Sequence, residues 1–158
     1  MALFTNNPNC GAAIRAEEFS VEVKSFSREE FETKSVLNEL LKINPDLVVL
    51  AGFLFKIPEN IVRAFPNKII NIHPALLPKF GGKGMYGKHV HQAVFDNKET
   101  ETGITIHYVN EHYDEGNIIA QFKINLTETD TPDTIEQKVR ELEIEHFPKV
   151  IHQLLQKP

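Results

Sequence analysis

Ile69-Ile70-Asn71-Ile72-His73-Pro74-Ala75-Leu76-Leu77-Pro78 is a short apolar run that ends in polar chemistry and then in prolines. β-Branched residues at 69, 70 and 72 predict a buried strand. Strand alternation places Asn71 and His73 on one face of it. In open α/β sheets, ligands bind at the carboxyl ends of the strands, and Pro74 and Pro78 stiffen the exit from this one. An amide that donates hydrogen bonds beside an imidazole that carries a proton suits acyl transfer. The amide can stabilise a developing oxyanion and the imidazole can handle the proton. A satisfied histidine at a strand end is the other reading of the same residues.

Upstream of this stretch, Leu47-Val48-Val49-Leu50-Ala51 is a continuous apolar run, the pattern of a strand in a parallel sheet covered on both faces. Ser27 to Ile43 is predicted as one helix. Ser27 and Glu30 form a capping box, and Phe26 and Phe31 stand where a hydrophobic staple needs them. Asn44-Pro45 stops it. Before it come a strand end at Ala2 to Phe4, a helix from Gly11 to Phe19 and a strand from Val21 to Lys24. A short helix from Glu59 to Phe65 separates the two apolar strands.

Downstream, His89 to Asp96 is predicted helical and Gly103 to Val109 alternates as a strand. Ile104, Ile106 and Tyr108 share one face, Thr105 and His107 the other. Ile118 to Ile124 is a further strand. Thr131 is a natural N-cap with Pro132 at the first helical position of a last helix carrying Ile135, Val139, Leu142, Val150 and Leu154. Pro148 is predicted to bend it. The alternation of strands and helices gives an α/β fold, a Rossmann-like, mostly parallel sheet with helices on both faces, in one domain over 1–158.

The chain has 158 residues, 41% hydrophobic and 25% charged, with a formal net charge of -5. This is an ordinary globular composition. The acidic balance argues against a general nucleic-acid partner, which would show a basic patch. Cys10 is the only cysteine, so no intrachain disulfide can form, and a reducing cytoplasm fits. The strongest apolar stretch, Leu47 to Phe55, is too short to cross a bilayer, so no membrane partner is expected. His89, His91 and His107 do not form a pattern of convergent ligands, and no metal is expected.

Asn71-Ile72-His73-Pro74-Ala75-Leu76-Leu77-Pro78 resembles the N-x-H-P-S-L-L-P signature of the formyltetrahydrofolate-dependent formyltransferases, with Ala75 in place of the usual serine. Asp114-Glu115-Gly116-Asn117-Ile118-Ile119 is similar to that family's D-x-G-x-I-I segment. Asp46 to Phe53 is similar to the strand and turn before its folate pocket. The three occur in the family's order and spacing. Glu141 to Pro148 resembles the E-x-x-x-(aromatic)-P stretch of the glycinamide ribonucleotide branch. Methionyl-tRNA formyltransferases usually carry an R-G-A-A-P-like run after the signature. The corresponding run here, Phe80-Gly81-Gly82-Lys83-Gly84-Met85-Tyr86-Gly87, differs from it.

The resemblance implies the formyltransferase fold and transfer of a formyl group from 10-formyltetrahydrofolate to the amine of glycinamide ribonucleotide, in purine biosynthesis. It implies catalytic roles for Asn71, His73 and Asp114. It places Leu54, Phe55, Ile57, Val109, Asn110 and Asp114 around the folate, with Phe55 where better-known members often carry arginine. Gly52, Pro74 and Glu143 fall to the ribonucleotide, Glu143 on its ribose hydroxyls. Core packing for Leu54 and Ile57, and a solvated helix face for Glu143, are the competing readings. The protein is expected to be a monomer or homodimer.

The family opens with an apolar strand and a glycine-rich turn that holds a phosphate at a helix N-terminus. This sequence begins at what resembles the family's second strand. We therefore expect the functional protein to carry roughly 30 or more further N-terminal residues, about one strand-helix unit, and this chain alone to fold poorly and lack activity. A formyltetrahydrofolate hydrolase, a sugar-nucleotide formyltransferase and an inactive folate-binding fragment remain open as alternatives.

Overall fold

The computed structural model describes residues 1–156, which form two compact units, the first Met1–Pro45 and the second beginning at Asp46. In the first, β1 (Ala2–Thr5) pairs in parallel with β2 (Glu22–Ser25), with Ala2 opposite Glu22 and Thr5 opposite Ser25. α1 (Gly11–Glu18) connects them and buries Ala13 and Ala16.

The helix predicted from Ser27 to Ile43 is broken in two, α2 (Arg28–Glu32) and α3 (Ser35–Ile43). Its start is as read. Ser27 Oγ accepts from the Glu30 N–H at 3.1 Å, Glu30 Oε2 accepts from the Ser27 N–H at 2.8 Å, and the Phe26 and Phe31 rings stack at 5.3 Å. The break comes from Thr33, whose backbone is extended. Its hydroxyl donates to the Glu30 carbonyl and accepts from the Ser35 N–H. A threonine hydroxyl that competes for backbone groups in this way interrupts the helical ladder. Asn44 closes α3 in the left-handed region, φ 47°, a conformation asparagine tolerates.

The second unit holds a four-stranded sheet in the order β3 (Val48–Leu50), β4 (Ile69–His73), β5 (Glu101–Tyr108), β6 (Ile118–Asn125). β3 and β4 are parallel and joined through α4 (Glu59–Ala64), while β5 runs antiparallel to both its neighbours. Three of the four strands thus point one way, and the reversed β5 is the element the sequence reading did not separate. β3 is shorter than the apolar run Leu47–Ala51, and Val49 on it is exposed, so it is not covered on both faces as its composition suggested.

α5 (Lys88–Asp96) and α6 (Pro132–Leu155) complete the unit. Thr131 caps α6 as predicted, and the helix continues through Pro148. The turn before it is fastened by Asp130, which accepts from the Thr127 N–H, the Thr134 hydroxyl and Lys138 Nζ. Ile70 and Ile72 of β4, Ile104 and Ile106 of β5, Val94 of α5, and Ile135, Val139, Phe147 and Val150 of α6 form one buried cluster. Side chains of this kind each stabilise by about 1.5–3 kcal/mol when fully buried. The cluster therefore fixes the register in which the opposite, polar face of β4 and β5 is presented.

Candidate active site

That polar face carries the site. The β4–β5 ladder sets Asn71 opposite His107 and His73 opposite Thr105. Asn71 Nδ2 lies 3.2 Å from His107 Nε2, and His107 Nδ1 lies 2.9 Å from the Tyr108 carbonyl oxygen. His73 Nε2 is 2.7 Å from the carbonyl oxygen of Phe80. Beside His107 the β5–β6 ladder shifts register, pairing Ile106 with Ala120 and His107 with Ile118. Such a bulge re-aims side chains locally.

Thr105 ties down the chain that leaves β4. Its hydroxyl donates to the Ala75 carbonyl at 2.7 Å and accepts from the Leu77 N–H at 3.0 Å and Gln121 Nε2 at 2.9 Å. Gln121 Nε2 also donates to the Leu77 carbonyl. A buried hydroxyl with its hydrogen-bonding capacity filled holds its surroundings rigidly. The loop after His73 is thereby pinned to β5 and β6.

Asp114 sits on the loop between β5 and β6 at φ 56°. Its Oδ2 accepts from the Gly82 N–H at 2.9 Å and stands 3.6 Å from His73 Nδ1, and its Oδ1 is 3.6 Å from His107 Nε2. The three side chains are nearly sealed, at 4% exposure for His73, 2% for His107 and 13% for Asp114. Close passage of this loop against the end of β5 depends on Gly116, where a Cβ would run into the Tyr108 carbonyl.

Burial drives the His73 pKa below the usual histidine value, against the pull of the Asp114 carboxylate and the Phe80 carbonyl. Burial also works on Asp114, pushing it up. The Gly82 N–H, donating at 2.9 Å, opposes that, and the Asp114 carboxyl lies below the usual carboxylate range. Asp114 is therefore the fixed negative charge of the site and His73 a neutral imidazole at physiological pH.

A cleft of about 650 Å³ opens over this cluster. Asn71, His73 and Asp114 line it, as do Leu54, Phe55, Ile57, Val109, Asn110, Gly52, Pro74 and Glu143, so all the residues singled out in the sequence meet at one cavity. Of these lining residues Leu54 is exposed and Ile57 is buried. Burial pushes the Glu143 carboxyl above its ordinary pKa, with Arg140 opposing. Glu143 is thus not on a fully solvated helix face. The Gly82–Gly87 run supplies further wall, including Lys83 and Tyr86.

His107, His91, Glu136 and Arg140 also line the cleft and were not assigned by sequence reasoning. For His107 a signal existed, because it alternates with Thr105 on β5. Without the reversed direction and register of β5, that signal could not be matched to Asn71. His91 is buried on α5, its Nδ1 has no hydrogen-bond partner among the described residues, and burial lowers its pKa.

A formyl transferase family profile matches residues 1–151, and the chain belongs to that family. It is similar to the chloroplastic phosphoribosylglycinamide formyltransferase of Arabidopsis thaliana, with 41% identity over 155 residues, 94% of this chain and 53% of that protein. It is also similar to the phosphoribosylglycinamide formyltransferase of Bacillus subtilis, with 37% identity over 158 residues, 97% of this chain and 78% of that protein. The crystal structure of the Bacillus halodurans phosphoribosylglycinamide formyltransferase matches with a TM-score of 0.88 at 32% identity, over 99% of this chain and 81% of that one. The chain spans about half the length of the Arabidopsis relative.

Proposed function

We propose that this chain is a formyltransferase catalytic domain over 1–158. The functional protein that carries this domain transfers a formyl group from 10-formyltetrahydrofolate to the amine of glycinamide ribonucleotide, a step of purine biosynthesis. The observation that carries this reading is the meeting of Asn71, His73 and Asp114 over one cleft, with His73 Nδ1 3.6 Å from the Asp114 carboxylate.

The amine nitrogen attacks the formyl carbon, the carbonyl oxygen becomes an oxyanion, and the bond from that carbon to the folate nitrogen then breaks. The proton lost by the amine ends on the folate nitrogen. An Asn71 side-chain N–H faces the oxyanion, a type of contact worth about 2.7–4 kcal/mol of barrier. His73 handles the proton at Nδ1, since its Nε2 is committed to the Phe80 carbonyl. The Asp114 charge stabilises the imidazolium that forms. Transfer is direct, without an acyl-enzyme or metal.

The pterin lies against the apolar wall of Leu54, Ile57 and Val109, with Phe55, Asn110 and Asp114 around it. The exposure of Leu54 on that wall, 57%, supports this placement, because an aromatic ring laid there would cover it. Gly52, Pro74 and Glu143 face the ribonucleotide. The protein acts on small molecules in the cytoplasm, as a monomer or homodimer.

The experiment is a two-substrate assay that tracks formylated ribonucleotide and free tetrahydrofolate together. Equimolar appearance of both is expected, and Asn71→Ala or His73→Ala should lower kcat about a hundredfold or more. Folate release with formate instead of formylated ribonucleotide would point to a hydrolase. Wild-type turnover by Asn71→Ala would overturn the reading.

A further inference from the structure

We infer that His107 is a positioning residue for Asn71: held in its Nδ1–H tautomer by the Tyr108 carbonyl, it accepts one N–H of the Asn71 amide and leaves the other for the cleft. The inference rests on the proposed formyl transfer.

A primary amide has two nearly isosteric ends, and rotation by half a turn exchanges a donor for an acceptor. An asparagine used as an oxyanion donor therefore needs a neighbour that distinguishes the ends. His107 does so by its own hydrogen bonding. A carbonyl oxygen only accepts, so the 2.9 Å contact between His107 Nδ1 and the Tyr108 oxygen places the ring proton on Nδ1. The competing position, Nε2, faces the Asp114 carboxylate at the longer distance of 3.6 Å. With the proton on Nδ1, Nε2 presents a lone pair. The amide end that can meet a lone pair at 3.2 Å is the NH₂ group. The amide oxygen in the same place would set two lone pairs against each other.

The supports are rigid. His107 is 2% exposed and directly opposite Asn71 in the β4–β5 ladder. The tautomer is fixed by a backbone group one residue away, so no mobile side chain is involved. An asparagine held this way is aligned before the substrate arrives, which is what lets a hydrogen bond stabilise a transition state without reorganisation.

Two measurements test this. In the wild-type protein, ¹⁵N spectra of labelled histidine should show His107 protonated at Nδ1 and accepting a hydrogen bond at Nε2. A ring protonated on Nε2 alone would overturn the inference, whatever any variant does. In the assay, His107→Phe should lower kcat roughly tenfold, the scale of one lost orienting hydrogen bond, with the KM for the formyl donor unchanged. His107→Gln, which can still offer an acceptor, should recover most of the rate. In an Asn71→Ala background, His107→Phe should cost nothing further. Full additivity of the two substitutions would overturn the inference while leaving the proposed function intact. Wild-type turnover by Asn71→Ala would remove both.

Discussion

The imidazole of His73 is anchored through Nε2 to the carbonyl oxygen of Phe80, at 2.7 Å, and not through the nitrogen that faces Asp114. The neutral ring thus carries its proton on Nε2 and keeps its lone pair on Nδ1. Phe80 itself holds a positive φ of 56°.

The environment of this ring sets its titration. Burial dominates at His73 and depresses its pKa, and the Asp114 charge works the other way. His73 should titrate below the ordinary value of about 6.5, and Asp114→Asn should lower it further. The sign for stability is fixed by proton counting. Between the depressed folded pKa and the ordinary unfolded one, the unfolded chain binds more protons, so stability rises with pH across that window. NMR titration of the ring protons measures both pKa values. An upward shift in Asp114→Asn would contradict the electrostatic account.

Glu143 is expected to act on the ribonucleotide side. Burial raises its carboxyl pKa, so the charged, accepting form is present only above that raised value. Glu143→Ala should raise the KM for the ribonucleotide roughly tenfold or more, as expected for a lost hydrogen bond to a charged group. The KM for the formyl donor should stay as it is. Initial-rate kinetics with each substrate varied in turn separate the cases, and an effect confined to the formyl donor would move Glu143 to the other subsite.

The loop that carries Asp114 should be intolerant of a single methyl group at Gly116. A Cβ there meets the Tyr108 carbonyl, a backbone atom that cannot swing aside. Gly116→Ala should cost about 1–3 kcal/mol, the usual penalty of overpacking, and should displace Asp114 from His73. Urea denaturation reads the first effect and the His73 titration the second. A variant as stable as the parent would show that the loop has slack.

Acid stability should depend on Asp130. Lys138, the Thr127 N–H and the Thr134 and Thr127 hydroxyls hold its pKa far below the usual carboxylate range. Its contribution is present above the ordinary Asp pKa and is lost only as pH falls through the depressed one. Asp130→Asn should melt lower at pH 7, and the difference from the parent should shrink as the pH is lowered below about 4. Melting curves across that range measure it.

The strand Ile69–His73 and the shared face of Asn71 and His73 could be read in the sequence because they depend on local alternation alone. The capped starts of α2 and α6 were legible for the same reason, since each cap lies within four residues of its partner. The break at Thr33 was not, because a threonine hydroxyl competes for backbone groups only in one particular geometry. The role of His107 was also hidden. Its partner Asn71 lies 36 positions away, across a reversed strand whose direction leaves no local mark. Likewise, the resemblance that gathered Leu54, Val109 and Glu143 carried no information on how deeply each would be buried.

The antiparallel join of β4 and β5 also bears on how any preparation of this protein should be judged. A slip of one residue in that ladder would bring Ile106 or Tyr108 opposite Asn71 and turn His107 toward the isoleucine cluster. Such a molecule would retain its helices and much of its ellipticity but would hold no aligned amide. Refolded material can therefore look native by circular dichroism while only part of it turns over, and active-site titration is the measure of correctly threaded chains.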